Sequence, residues 1–128
     1  MALSKHFTLT IDGYNAKLSS ELKFYQNDQL NLVFEIVENT INVKNGVATR
    51  ATIPINPLQA VLFFETPLGI DSIESGEIVD NAVVFHLTSK QTQYIGISRV
   101  QIQLTDGDCC RITLPEFEFE IRENIIDS

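Results

Sequence analysis

The chain has 128 residues and a formal net charge of −8, enough for one domain around one core. That charge leaves no basic stripe of the kind phosphate recognition requires, so nucleic acid is not an expected partner. No apolar run reaches the length of a membrane span, and the opening Met1-Ala2-Leu3-Ser4-Lys5 lacks a signal-peptide core, so neither membrane nor secretory export is expected.

In chain order, Phe7, Leu9 and Ile11 alternate with Thr8 and Thr10, which predicts a strand ending at an Asp12-Gly13 turn. Leu22 and Phe24 alternate with Glu21, Lys23 and Tyr25, a second strand, and Gln26-Asn27-Asp28-Gln29 is a polar turn. Leu30, Leu32, Phe34 and Ile36 form the clearest buried face of the N-terminal half, in a strand that Glu38-Asn39-Thr40 should end. Asn45-Gly46 signals a tight turn, and the region Ile41 to Ile55 reads as a small hairpin inserted between core strands. Pro54 and Pro57 exclude a central strand between them.

From Leu58 to Glu65 the chain is apolar on both faces of a strand: Leu58, Ala60, Leu62 and Phe64 on one, Val61 and Phe63 on the other. Thr66-Pro67-Leu68-Gly69 turns, Asp71 to Gly76 reads as a loop or short strand, and Val83, Phe85 and Leu87 form another strand after Asp80-Asn81. Thr88 or Ser89 is placed to cap one helical turn over Lys90 to Tyr94.

The stretch from Tyr94 to Ile121 is the strongest hairpin signal, two alternating runs around an Asp-Gly turn. Val100, Ile102 and Leu104 share one face, and Cys110, Ile112 and Leu114 share another. Burying both faces together requires an odd loop, and Asp106 to Asp108 would pair Ile102 with Ile112 and bury Cys110 while exposing Cys109. Beyond Leu114 the apolar phase shifts to Phe117, Phe119 and Ile121, which places a β-bulge at Pro115. Phe117 and Phe119 would then cover Ser98 and Gly96.

These elements make about seven short strands with turns at sandwich spacing, so the predicted fold is all-β, an immunoglobulin-like antiparallel β-sandwich. It should form one domain over residues 1–123, with 124–128 a tail or the start of a linker.

The residues that commonly carry chemistry are sparse. His6 and His86 stand alone on alternating strands, with no ligand spacing for a metal. Adjacent Cys109 and Cys110 point to opposite faces of a strand and are expected to stay reduced. Gly96-Ile97-Ser98 lacks the second glycine of a nucleophile elbow. Asp71, Glu74, Glu77 and Asp80 lack regular calcium-loop spacing, and Glu116, Glu118 and Glu120 read as a wet or edge-protecting face. No enzymatic activity, metal or cofactor is expected.

The opening strand Phe7 to Ile11, the run F-Y-Q-N-D-Q-L-N-L-V-F-E-I at Phe24 to Ile36, and the ending of a polar helical piece, Gly96, an alternating strand, Thr-Asp-Gly and Leu-Pro-Glu-Phe-Glu-Phe-Glu-Ile form a recognisable series. From Phe7 to Glu123 the chain resembles the N-terminal domain of phage baseplate upper proteins, found in tailed phages of Gram-positive hosts. The resemblance implies an immunoglobulin-like structural domain of the virion's host-adhesion device. It would be made in the bacterial cytoplasm and assembled with other baseplate or tail proteins and a receptor-binding protein. The chain departs from that pattern in a longer Ile41 to Pro57 connection and in stopping after one domain, so that the bridging C-terminal part is missing or lies outside this stretch of sequence. The competing expectation is a ligand-binding sandwich for bacterial-surface carbohydrate, weakened by the absence of Trp.

Outward strand positions should be polar, yet Val61, Phe63, Ile95 and Ile97 are not. Either the segment Ile41 to Pro57 folds back over them, or they form an exposed patch that contacts a partner, which could be a second copy of the chain.

Overall fold

A computed structural model describes residues 3–54, 59–69, 71–80, 82–106 and 110–126, with the side chains of 42, 52–54, 71, 106 and 110 left out of the description. The strands are β1 (Ser4–Asp12), β2 (Asn15–Leu18), β3 (Leu22–Tyr25), β4 (Leu30–Lys44), β5 (Val47–Pro54), β6 (Gln59–Glu65), β7 (Asp71–Val79), β8 (Ala82–Leu87), β9 (Gly96–Asp106), β10 (Cys110–Thr113) and β11 (Phe117–Arg122). One helical turn, α1 (Ser89–Thr92), joins β8 to β9.

The all-β class expected from the alternation is the class the chain adopts. The expected count of about seven strands and the purely antiparallel pattern need correction. The described residues form an 11-stranded sheet that runs β2-β1-β4-β8-β7-β6-β9-β11-β3, with β5 attached to β4 and β10 to β9. Two pairs are parallel, β1 with β4 and β3 with β11. In both, other strands intervene in the chain, which supplies the crossover that parallel pairing needs.

The sheet curls until its inner face meets itself. Phe34 of β4 reaches Phe117 of β11 with ring centroids 5.6 Å apart, and Phe64 of β6 reaches Phe85 of β8 at 4.8 Å. Phe7 extends the first group and Phe119 and Phe24 the second. Leu9, Leu62, Leu87, Val83 and Ile102 are fully buried among them. The gap left between these side chains is about 10 Å³, at the lower limit of what one water needs.

The corner lies in β7. Up to Gly76 this strand bonds to β6, and from Glu77 it bonds to β8. A β-carbon on Gly76 would stand 2.8 Å from Val83 Cγ1 and 2.9 Å from Leu62 Cδ1. A side chain at this position would have to push Val83 or Leu62 aside, so the turn of the sheet favours glycine.

The long strand β4 corrects a second expectation. Glu38-Asn39-Thr40 does not end it; the strand continues to Lys44 and pairs with β5 as far as Pro54. Its Asn45-Gly46 turn has positive φ at both residues, 53° and 76°, as a two-residue hairpin loop requires. Pro54 is tolerated because β5 is an edge strand with β4 as its partner.

The C-terminal hairpin keeps its expected parity but not its offset. Ile112 lies opposite Leu104, not Ile102, and Asp106 is paired with Cys110. The enclosed positions 107–109 and the side chain of Cys110 are outside the described residues, and with them the expectations for the two thiols. Sliding by two residues keeps the same side chains on the same face, so the hydrophobic pattern fixes parity without fixing the offset. Thr113 faces Gln103 and Phe117 faces Val100, four steps along one strand against three on the other. The extra residue is the expected bulge around Pro115, and Leu114 within it donates its N–H to the Ile102 carbonyl at 2.8 Å. Phe119 consequently covers Ser98, and Ile121 covers Gly96.

Helix α1 is capped as expected, beginning one residue earlier than read. Thr88 accepts from the Lys90 N–H at 3.3 Å, and the Gln91 side chain accepts from the Thr88 N–H at 3.1 Å. Thr92 donates to the Asp28 carbonyl at 2.9 Å, tying α1 to the loop before β4.

Two stability outcomes follow. Ile102→Ala should cost about 2–5 kcal/mol, whereas Ile112→Ala should change stability by no more than about 0.5 kcal/mol, since Ile102 is 0% and Ile112 60% exposed. Equal losses in denaturant unfolding would contradict the observed register. Gly76→Ala should destabilise by about 1–3 kcal/mol through overpacking at the corner. A neutral result would show that Val83 and Leu62 yield to a methyl group.

Candidate functional site

The outer face of β7, β6, β9 and β11 carries the residues singled out from the sequence. Alternation on β6 buries Ala60, Leu62 and Phe64, which turns Val61 and Phe63 outward. On β9 the buried set is Ser98, Val100, Ile102 and Leu104, so Ile97 and Arg99 face outward with Gln101 and Gln103. Phe63 is 37%, Ile97 50% and Ile95 52% exposed, while Val61 is half-buried.

The described part of the segment Ile41 to Pro57 does not fold back over them: from 43 to 50 every position is itself exposed, as is Ile41, and β5 lies along β4. Positions 55–58 are outside the described residues.

The four residues do not make one patch. Phe63 pairs with Gln101, while Ile97 lies four residues further along β9, opposite Glu120. Between them stands an ion cluster. The Arg99 guanidinium donates to Glu65 Oε1 through Nε at 3.1 Å and through a second nitrogen, and its Nη1 lies 3.5 Å from Glu116 Oε2. The hydrogen bond that Glu65 accepts first, then the charges of Glu65 and Glu116, raise the Arg99 pKa above its ordinary value. Ile95 precedes β9 in the turn after α1.

Sequence reasoning missed the true neighbour of Phe63. The pairing of β6 with β7 sets Ile73 directly opposite it, and Ile73 is 65% exposed. Ile73 sits in a stretch readable as loop or short strand, flanked by Glu and Ser. Phe63, Ile73, Glu65, Arg99, Gln101 and Glu116 line a notch of about 400 Å³. Its floor is apolar and its rim carries the carboxylates of Glu65 and Glu116 on either side of Arg99.

Ile97 belongs to a different feature. It lines a groove of about 500 Å³ with Ala16, Leu18, Lys23, Glu118 and Glu120, where the ends of the curled sheet, β2 and β3, approach without pairing. Lys5 closes part of this seam, its ammonium 5.2 Å from the centre of the Phe24 ring. Glu21 at the same seam is bonded by Lys23 at 2.9 Å, an interaction that lowers its pKa.

The two histidines have local roles. His86 Nδ1 lies 2.7 Å from Asn31 Oδ1 across the β8–β4 pair, and His6 faces Val33 on β4. Among the described residues no three His, Cys, Asp or Glu side chains converge as metal ligands, and no helix is long and apolar enough to cross a membrane. No protein-family model matches the sequence, and no curated protein matches it.

The outward placement of Phe63 and Ile97 has a direct check. The double substitution Phe63→Asp with Ile97→Asp should leave circular dichroism unchanged and shift the thermal midpoint by only a few degrees. Cooperative loss of structure would instead assign these side chains to the core.

Proposed function

We propose that this chain is a structural, protein-docking domain of a phage tail baseplate, whose outer β7–β6–β9 face is buried against neighbouring subunits of the host-adhesion device. The observation that carries the docking role is the Phe63–Ile73 pair. Two large apolar side chains stand outward on rigid, hydrogen-bonded strands, with an ionic rim of Glu65, Arg99 and Glu116 beside them. An apolar centre with a polar border is the usual composition of a protein interface. Strands hold such a surface in place without the ordering cost a loop would carry on binding.

The baseplate assignment is supported by the resemblance of the Phe24 to Ile36 run and of the ending through Leu114 to Ile121 to baseplate upper proteins. The acidic chain surface and the sparse histidines and cysteines accord with a role in assembly rather than in catalysis or nucleic-acid binding.

Mass spectrometry of tail particles purified from a phage encoding this chain tests the proposal. The chain should be present at fixed stoichiometry to the other tail proteins, and Phe63→Asp with Ile97→Asp should fold yet be lost from the particles. Absence of the unaltered chain from tail particles, or specific sugar binding on a glycan array without particle incorporation, would overturn it.

A further inference from the structure

Beyond its pairing with the rest of the sheet, β4 runs on as a two-stranded arm, with β5 its only strand partner there among the described residues. β1 leaves β4 at Glu38 and β8 leaves it at Phe34, while β5 follows it from Val37 to Lys44. At about 3.4 Å per residue, positions 39–44 carry the tip roughly 20 Å from the base.

A lone ribbon of this kind is marginal in water, and this one also exposes Ile41 at 65%, Val43 at 72% and Val47 at 61%. The register sets Ile41 opposite Arg50 and Val43 opposite Ala48, so one face of the arm reads Ile41, Val43, Ala48, Arg50.

Charge is segregated between this arm and the rest of the molecule. Residues 39–53 contain Lys44 and Arg50 and no acidic residue, so within a total of −8 the remainder of the chain carries −10. The Phe63–Ile73 notch has the complementary character, with an apolar floor and two carboxylates, Glu65 and Glu116, against the single cation Arg99. Within one molecule the two surfaces are both exposed. Arg50 contacts Asp12 at 3.4 Å in an exposed pair, the kind that exchanges partners at little cost.

We infer that the β4–β5 arm of one copy docks through Ile41, Val43 and Arg50 into the Phe63–Ile73 notch of a second copy. This rests on the reading of the outer face as a docking surface and names its partner. The contact uses different surfaces on the two copies, so it is head-to-tail and builds a ring or an open chain. Antiparallel pairing of two β5 edges would leave Ile41, Val43 and the notch bare.

Sedimentation velocity over a concentration series tests the contact. The unaltered chain should associate increasingly with concentration, and less so at high salt. An arm variant, Ile41→Asp with Val43→Asp, and a notch variant, Phe63→Asp with Ile73→Asp, should each be monomeric. Mixed in equal amounts they should form a heterodimer that does not grow, because each retains the surface the other has lost. An unaltered chain that stays monomeric throughout, an arm variant that associates as before, or a mixture that remains monomeric would each overturn the inference. If an aspartate variant loses its circular dichroism signal, Arg50→Glu and Glu116→Lys replace it: each should weaken association, and the two in one chain should restore it. Failure to restore would also overturn the inference.

The outcome separates from the baseplate reading. A monomeric chain that is incorporated into tail particles through Phe63 and Ile97 refutes the arm contact alone. Arm-dependent association by a chain absent from tail particles refutes the baseplate reading alone.

Discussion

The inward side chains of β4, β6, β8, β9 and β11 pack against side chains of the same sheet, and the shape of the body of the molecule follows from that self-contact. A flat sheet of this composition would leave one apolar face in water. Curling lets Phe34 meet Phe117 and Phe64 meet Phe85, which turns a two-dimensional pattern of alternation into a closed core. At the corner of the curl the backbone comes so near the Val83 and Leu62 side chains that a β-carbon would displace them, and Gly76 stands there. The second half of β7 can then pass from β6 to β8 without losing its ladder.

The same constraint decides what is left on the outside. Once the inner face of β6 is committed to Ala60, Leu62 and Phe64, period-two geometry has no choice but to present Val61 and Phe63 outward. Ile73 is brought beside Phe63 by the β6–β7 register. The Arg99 cluster interrupts this apolar surface before Ile97, so the outer face holds two features of different character, a notch with an ionic rim and a groove at the unpaired seam of the sheet.

The arm is the part of the structure that the core does not explain. Positions 41 and 43–50 are exposed, β5 bonds to no strand but β4 among the described residues, and the charge of the arm is opposite in sign to that of the body. Strand length here is set by the Asn45-Gly46 turn rather than by burial, since that turn holds β4 and β5 together past the point where β1 and β8 stop.

Local sequence was enough to place the period-two faces, the turns at Asn45-Gly46 and around Asp80, the Thr88 cap and the bulge at Pro115. Each depends on residues within a few positions of one another, through side-chain alternation, positive φ or a missing donor. Alternation likewise turned Val61, Phe63 and Ile97 outward, because burying one face of a strand exposes the other, whereas the exposure of Ile73 and Ile112 was not legible there. Long-range pairing set the two parallel pairs, the continuation of β4 through Glu38-Asn39-Thr40 and the offset that places Ile112 against Leu104. These depend on which strands become neighbours, and a slide of two residues or an exchange of partners leaves local alternation unchanged. The partnership of Phe63 with Ile73, and the separation of both from Ile97, belong to the same class. They are cross-strand facts, fixed by the closing of one curled sheet around its own phenylalanines.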